Sequence, residues 1–324
     1  MGTILIYVLF FAGFFLLIKG ADFLVEAAST LAKKMGISDI VIGLTIVSIG
    51  TSLPELIVNL LASYGGNVDI AIGNVYGSNI ANILLILGVT ALIKTLPLQR
   101  DTVIAEIPFS MAAIMIIGFL GNAEVWGYSD TLEGLSRYDG GIILFFFLLF
   151  FAYIVMMAMS DRQMNKVEKS TEKINVLKEW GLILGGMAML FLGGKWVVDG
   201  AVHFATLMGM SEAFIGLTIV AIGTSLPELV TSLVAARKGN VDVAVGNVVG
   251  SNIFNLLWIL GLSSVISPLP INKANNFDAF VVLLASALIV ILMIFSRKLE
   301  VKRWHGAVYV SCYIIYVLYL FNRG

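Results

Sequence analysis

Hydrophobic residues run along this chain in long blocks, separated by short polar interruptions. Ile4–Ile18, Ile107–Leu120, Gly141–Met159 and Phe280–Phe295 are nearly unbroken apolar stretches. A helix needs about 20 mostly apolar residues to cross a bilayer, so these blocks with their flanks predict membrane spans rather than a globular core. Ten helices are predicted, at 3–32, 39–63, 68–93, 102–121, 139–160, 178–207, 212–236, 241–265, 277–296 and 304–321. The first and sixth are long enough to lie strongly tilted.

An internal repeat organises these ten into two sets of five. Residues 43–56 read GLTIVSIGTSLPEL and residues 216–229 read GLTIVAIGTSLPEL, which differ only at Ser48 and Ala221. Residues 73–88, GNVYGSNIANILLILG, match residues 246–261, GNVVGSNIFNLLWILG, at twelve of sixteen positions. The offset is 173 throughout (228 minus 55, for example), and it also maps Ser38 onto Ser211, Asp69 onto Asp242 and Pro97 onto Pro270. The expected division is a first five-helix repeat over 1–160, a polar cytoplasmic linker over 161–177 and a second repeat over 178–324.

Charge sets the orientation. With the N-terminus outside, fifteen Lys and Arg fall on inner loops and three, Arg137, Lys273 and Arg323, on outer ones. Because five is odd, the second half enters from the opposite face, and the two motifs become inverted copies meeting near the midplane. The expected fold is therefore all-α and integral to the membrane, with ten spans as two inverted repeats and broken helices at the midplane.

Composition narrows the chemistry. The chain is 59% hydrophobic and 13% charged, with a net charge of −1, so no nucleic-acid partner is expected. Cys312 is the single cysteine, and His203 and His305 lie far apart, which argues against disulfides, CxxC sites and zinc. No nucleophile–base pair points to an enzyme, and no cofactor is expected. The N-terminal block lacks a basic leader and a cleavage site and reads as a retained first helix.

Glu55 and Glu228 stand inside the second and seventh predicted helices. A carboxylate at the bilayer centre costs about 2.5–3.5 kcal/mol on insertion scales, so two at equivalent places need a reason. Each follows a proline, Pro54 or Pro227, which removes a helical hydrogen bond and disturbs the carbonyl four residues before it, near Gly50 or Gly223. Thr51, Ser52, Thr224 and Ser225 add hydroxyls beside the acids. Asn74, Ser78 and Asn82 on the third helix form a polar stripe at successive fours, as do Asn247, Ser251 and Asn255 on the eighth. Oxygen ligands without thiol or imidazole suit Ca²⁺, Na⁺ or Mg²⁺. Other polar groups read as local structure: Lys19 with Asp22 and Lys195 with Asp199 as ion pairs, and Asp69 and Asp242 as helix-start acids. Glu106, alone in its half, has no assigned role. The acidic outer stretch 122–140 reads as a solvated loop.

GTSLPE with GNVYGSNIAN, and GTSLPE with GNVVGSNIFN, resemble the two repeats of the Na⁺/Ca²⁺ exchanger branch of the cation/Ca²⁺ exchanger superfamily. The resemblance covers essentially the whole chain. It implies a secondary antiporter exchanging Na⁺ for Ca²⁺ by alternating access in the plasma (inner) membrane, with the first and sixth helices sliding against the other eight. It implies metal ligands at Glu55, Glu228, Thr51, Thr224, Ser52, Ser225, Ser78 and Ser251, with Asn82 and Asn255 beside them and Ser48 and Ala221 offering backbone carbonyls. Ca²⁺, Na⁺ and lipid are the implied partners, and a monomer suffices. Potassium-dependent members carry an acid where Asn255 stands, which points to K⁺ independence. The proton-coupled branch carries Gly-Asn-x-x-Glu in place of Gly-Thr-Ser-Leu-Pro-Glu, which ranks Ca²⁺/H⁺ exchange second. A cation channel ranks lower, since the polar residues form a cluster rather than a continuous pore.

Overall fold

The structure, a computed structural model, describes residues 3–123, 134–163, 174–209, 221–296 and 298–323. Helices dominate. We number them α1 (Thr3–Met35), α2 (Asp39–Thr51 and Leu53–Tyr64), α3 (Asp69–Ile93), α4 (Thr102–Gly121), α5 (Arg137–Gln163), α6 (Val176–Leu207), α7 (Ala221–Thr224 and Leu226–Lys238), α8 (Val241–Ile266), α9 (Lys273–Ser296) and α10 (Arg303–Arg323). Among the described residues eight of these are long and apolar enough to cross a membrane, and the bent α2 makes a ninth. The first part of the predicted seventh helix, with Ser211 and the motif residues 216–220, lies outside the described residues. So do 164–173 of the expected linker and Glu124, Asp130 and Glu133 of the outer stretch.

Several helices run a few residues past their predicted ends. α5 begins at Arg137 and ends at Gln163, and α9 begins at Lys273. Apolar pattern marks where a helix meets lipid; backbone hydrogen bonding continues until a cap or a turn ends it. Asp161, expected in the linker, is instead the buried end of α5, where Oδ2 accepts from Ser38 N at 3.2 Å and Ser38 Oγ at 2.7 Å.

The repeat reappears in three dimensions as paired contacts. α1 and α6 lie side by side along most of their lengths. A Cβ on Gly13 would lie 2.8 Å from Gly193 O, and one on Gly186 would lie 2.7 Å from Gly20 O. The 173 offset carries Gly13 onto Gly186 and Gly20 onto Gly193, so these are one contact seen twice. Small residues at such crossings let backbones approach where lipid offers no hydrophobic drive to pack. Two short antiparallel ladders repeat the theme. Leu96–Pro97 pairs with Glu300–Val301, and Leu269–Pro270 pairs with Gly134–Leu135. These ladders were not legible as strands, being two residues long.

The core is α3 and α8. α8 is the most buried span, with 94% of its apolar window enclosed. It packs on α2, α7, α3 and α5 and holds the polar residues that face α2 and α7.

Candidate metal centre

Helix α2 breaks just before Pro54. The two segments meet at Ser52 with a bend of 48°. Ser52 has φ −85° and ψ 9°, and Ser225 in α7 has φ −87° and ψ 6°. Pro54 and Pro227 each occupy the first turn of the segment after the break, where a missing amide costs nothing. Glu55 and Glu228 sit in that same first turn, where exposed amides and the helix dipole favour negative charge.

The two breaks face each other. Ser52 Oγ donates to Glu228 Oε1 at 2.8 Å, and Ser225 Oγ donates to Glu55 Oε1 at 3.4 Å. Each serine thus serves the carboxylate of the opposite half, and the two acids feel one another's charge. Glu55 and Glu228 are 1% and 0% exposed, so neither charge is screened by bulk water. No Lys or Arg forms an ion pair with either among the described residues.

The stripes on α3 and α8 frame this pair. Asn74 Nδ2 approaches Glu55 O at 3.5 Å, and Asn247 Nδ2 approaches Glu228 O at 3.4 Å. Thr51 Oγ1 donates to Asn247 Oδ1 at 3.0 Å, and Thr224 Oγ1 to Asn74 Oδ1 at 3.5 Å. The threonines therefore spend their hydroxyls on the opposite half's asparagine. Ser48 O already accepts from Ser52 N at 3.0 Å and from Thr51 Oγ1 at 3.3 Å. Ala221 opens the described part of α7, and its methyl lies outside the described side chains. Asn82 Nδ2 donates to Asn252 Oδ1 at 2.9 Å, joining α3 to α8.

What remains is a set of buried polar atoms with no hydrogen-bond partner: Glu55 Oε2, Glu228 Oε2, Ser78 Oγ, Ser251 Oγ, Asn82 Oδ1 and both amide atoms of Asn255. Buried polar groups are almost always satisfied, so a concentration of exceptions on four helices asks for a partner. The atoms are nearly all oxygens, and a hard cation is the partner they suit. Among the described residues no three His, Cys, Asp or Glu side chains are placed to hold one metal ion, so the charge available at this centre is that of the two glutamates.

Two supporting residues escaped the sequence reading. Asn59 and Ser232 are both fully buried and bond the stripe asparagines: Asn74 Nδ2 to Asn59 Oδ1 at 2.6 Å, and Asn247 Nδ2 to Ser232 Oγ at 3.0 Å. They stand four residues after Glu55 and Glu228 and 173 apart, so the repeat itself carried the signal.

The two halves differ in what lies beside their breaks. A cavity of about 290 Å³ between α2, α6 and α7 reaches Thr224 and Pro227, with Lys195 and Asp199 on its wall. On the equivalent side of the other half, Lys238 of α7 closes on α1, 2.8 Å from Asp22 and 2.7 Å from Glu26. Lys19 also lies 3.8 Å from Asp22, the local pair expected from spacing.

Comparison with known proteins finds relatives along nearly the whole chain. A family model described as sodium/calcium exchanger protein matches residues 5–157 and 178–322. The inner membrane protein YrbG of Escherichia coli is 36% identical over 97% of this chain and 96% of its own length. The sodium/calcium exchanger MaX1 of Methanosarcina acetivorans is 35% identical over 97% of this chain and 98% of its own. The solved structure of the sodium-calcium exchanger NCX_Mj, soaked with zero Na⁺ and Ca²⁺, superposes with a TM-score of 0.81 at 31% identity, covering 98% of this chain and 99% of that one. With its repeated GTSLPE breaks, opposed glutamates and multiple membrane spans, this chain belongs to the sodium/calcium exchanger family.

Proposed function

We propose that this protein exchanges Na⁺ for Ca²⁺ across the plasma (inner) membrane by alternating access, without K⁺. The observation that carries the reading is the opposed pair Glu55 and Glu228, each with one oxygen held by the other half's serine and one oxygen unpartnered. Two carboxylates balance one Ca²⁺ or two Na⁺, so the two cargoes compete for the same charge. Ser78, Ser251, Asn82 and Asn255 supply neutral oxygens around them, Ser52 and Ser225 orient the acids, and Thr51 and Thr224 with the backbone of Ser48 and Ala221 line the breaks. The whole set comes from one chain, so a monomer suffices.

Alternating access is supported by the unequal sides. The open cavity beside α6 and the Lys238 closure on α1 are what one half of a cycle requires, and the near-identical repeat supplies the other half by exchanging the roles of α1 and α6. With residues 1–160 and 178–324 as inverted units and the N-terminus outside, the open side is external. Neutral Asn82 and Asn255 leave no third central charge for K⁺.

The test is ⁴⁵Ca²⁺ uptake into Na⁺-loaded vesicles diluted into Na⁺-free buffer. Uptake that needs the Na⁺ gradient, survives a proton uncoupler, is indifferent to K⁺ and is lost in Glu55→Gln and Glu228→Gln supports the reading. Uptake driven only by a pH gradient moves the coupling to protons; full activity in both variants removes the site.

A further inference from the structure

Glu106 lies outside the four helices of the metal centre, yet it is as buried as the glutamates there, at 0% exposure. Tyr153 of α5 donates its hydroxyl to Oε1. Oε2 has no hydrogen-bond partner, and neither has Thr102 Oγ1, which is also fully buried and faces the same carboxyl. The backbone between them is a π-helical turn, in which Ile107 N–H bonds Thr102 O. Pro108 explains the turn: it offers no amide to Ile104 O, and the widened turn accommodates the loss.

Among the described residues nothing cationic attends this carboxyl. On its own helix the nearest acid is Asp101, and on α5 the contact is the neutral phenol of Tyr153. Helices α8 and α9 also pack on α4, and they carry no acidic or basic residue between Val243 and Ile266 or between Ala279 and Ser296. An ionised carboxylate buried without a counter-charge is strongly unfavourable. The counter-charge is a metal ion or a proton. A Na⁺ or Ca²⁺ shell needs about six oxygens. The side chains here offer Glu106 Oε2, Thr102 Oγ1 and the Tyr153 hydroxyl, which is too thin a shell. A proton needs one oxygen.

Acidic side chains line a cavity close to the site. A cavity of about 320 Å³ is lined by Asp39, Asp101, Asp161 and Asp242, with Lys33 and Gln99 at its wall. Met157 lines it too, and Tyr153, Met157 and Asp161 follow one another at fours along one face of α5. Asp101 stands one π turn from Glu106. We propose that Glu106 is a proton-binding site, separate from the metal centre and loaded from this acid-lined cavity. A hydronium ion gives its proton to Oε2 and leaves as water, and the new O–H faces Thr102 Oγ1. The charge between α4 and α5 then follows the pH on the cavity's side of the membrane.

The experiment is infrared difference spectroscopy of the full-length protein in lipid vesicles, comparing acidic with alkaline buffer. A carbonyl band from a protonated, buried carboxyl is expected in the wild type, in Glu55→Gln and in Glu228→Gln, and its loss is expected in Glu106→Gln. In Tyr153→Phe the band is expected to move to higher frequency, since the carbonyl oxygen loses its hydrogen-bond donor. A band unchanged in Glu106→Gln overturns the proposal. Should that variant not elute as a monodisperse protein, a band of unshifted frequency in Tyr153→Phe overturns it instead.

Discussion

Ser52 on α2 donates its hydroxyl to Glu228 on α7 at 2.8 Å, so the helix break of one half orients the acid of the other. Neither half can build the centre alone. Its reciprocal, Ser225 to Glu55, is longer at 3.4 Å, and the two bonds make unequal predictions.

Ser52→Ala removes a short bond to a buried charged oxygen. A bond of that kind contributes about 1.5 kcal/mol, equivalent to roughly tenfold in affinity. The Ca²⁺ concentration for half-maximal vesicle uptake is expected to rise by about that factor in Ser52→Ala, and by less in Ser225→Ala. Equal effects would contradict the geometry.

Lys238 joins α7 to α1 through Asp22 and Glu26 on the closed side. If the cycle opens this side, a tether across it stops transport. With Cys312→Ser as background, Asp22→Cys with Lys238→Cys, bridged by a reducible bifunctional thiol reagent, is expected to lose at least nine-tenths of its Ca²⁺ uptake (a roughly tenfold slowing, or 1.4 kcal/mol on the barrier) and regain it on reduction. Unimpaired uptake by the bridged protein would argue against motion at this contact.

The α1–α6 crossing leaves no room for side chains. A Cβ at Gly186 would meet Gly20 O at 2.7 Å and Leu24 N at 2.9 Å, both backbone atoms that cannot swing aside. Gly186→Val is expected to cost about 2–3 kcal/mol as an overpacking change, read as a lower unfolding temperature in detergent. Gly185→Val, where a Cβ meets nothing within 4 Å, is its control and is expected to unfold near the wild-type temperature.

Asp278 on α9 is 5% exposed and is held by Arg323 at 3.0 and 3.2 Å and by Tyr316 at 3.1 Å. Arg323→Ala strands a buried charge, at a cost of about 2 kcal/mol once the partial exposure of the arginine is allowed for. Adding Asp278→Asn is expected to recover more than half of the lost stability. A double variant as unstable as the sum of the singles would show that the two residues act independently.

Much of the fold and of the centre could be read from particular residues. The apolar blocks gave the helices because lipid accepts little else, and the copy of GTSLPE at a constant offset gave the pairing of Glu55 with Glu228. Helix ends were less legible: Asp161 looks like linker in a polar stretch, and only its bonds to Ser38 reveal it as buried. Asn59 and Ser232 were visible in the repeat but inconspicuous, since a single amide or hydroxyl on a helix does not announce its partner. The π turn at Thr102–Glu106 has a cause in Pro108, yet a proline alone does not distinguish a kink from a widened turn.

The chain's own order of residues determined the helix blocks, the two-fold repeat, the breaks at Pro54 and Pro227 and the choice of oxygen over sulfur, because each is a local or periodic property of the covalent sequence. Tertiary structure decided which serine serves which glutamate, that Thr51 and Thr224 bond asparagines across the halves, that Lys238 bridges to α1 on one side while a cavity lies beside α6 on the other, and that Glu106 is buried beside Tyr153 with no cation near it among the described residues. Those are contacts between residues up to 216 positions apart in the chain, as Asp22 and Lys238 are (238 minus 22). No local pattern encodes them; they exist only once ten helices have packed and each buried polar atom has found, or failed to find, a partner.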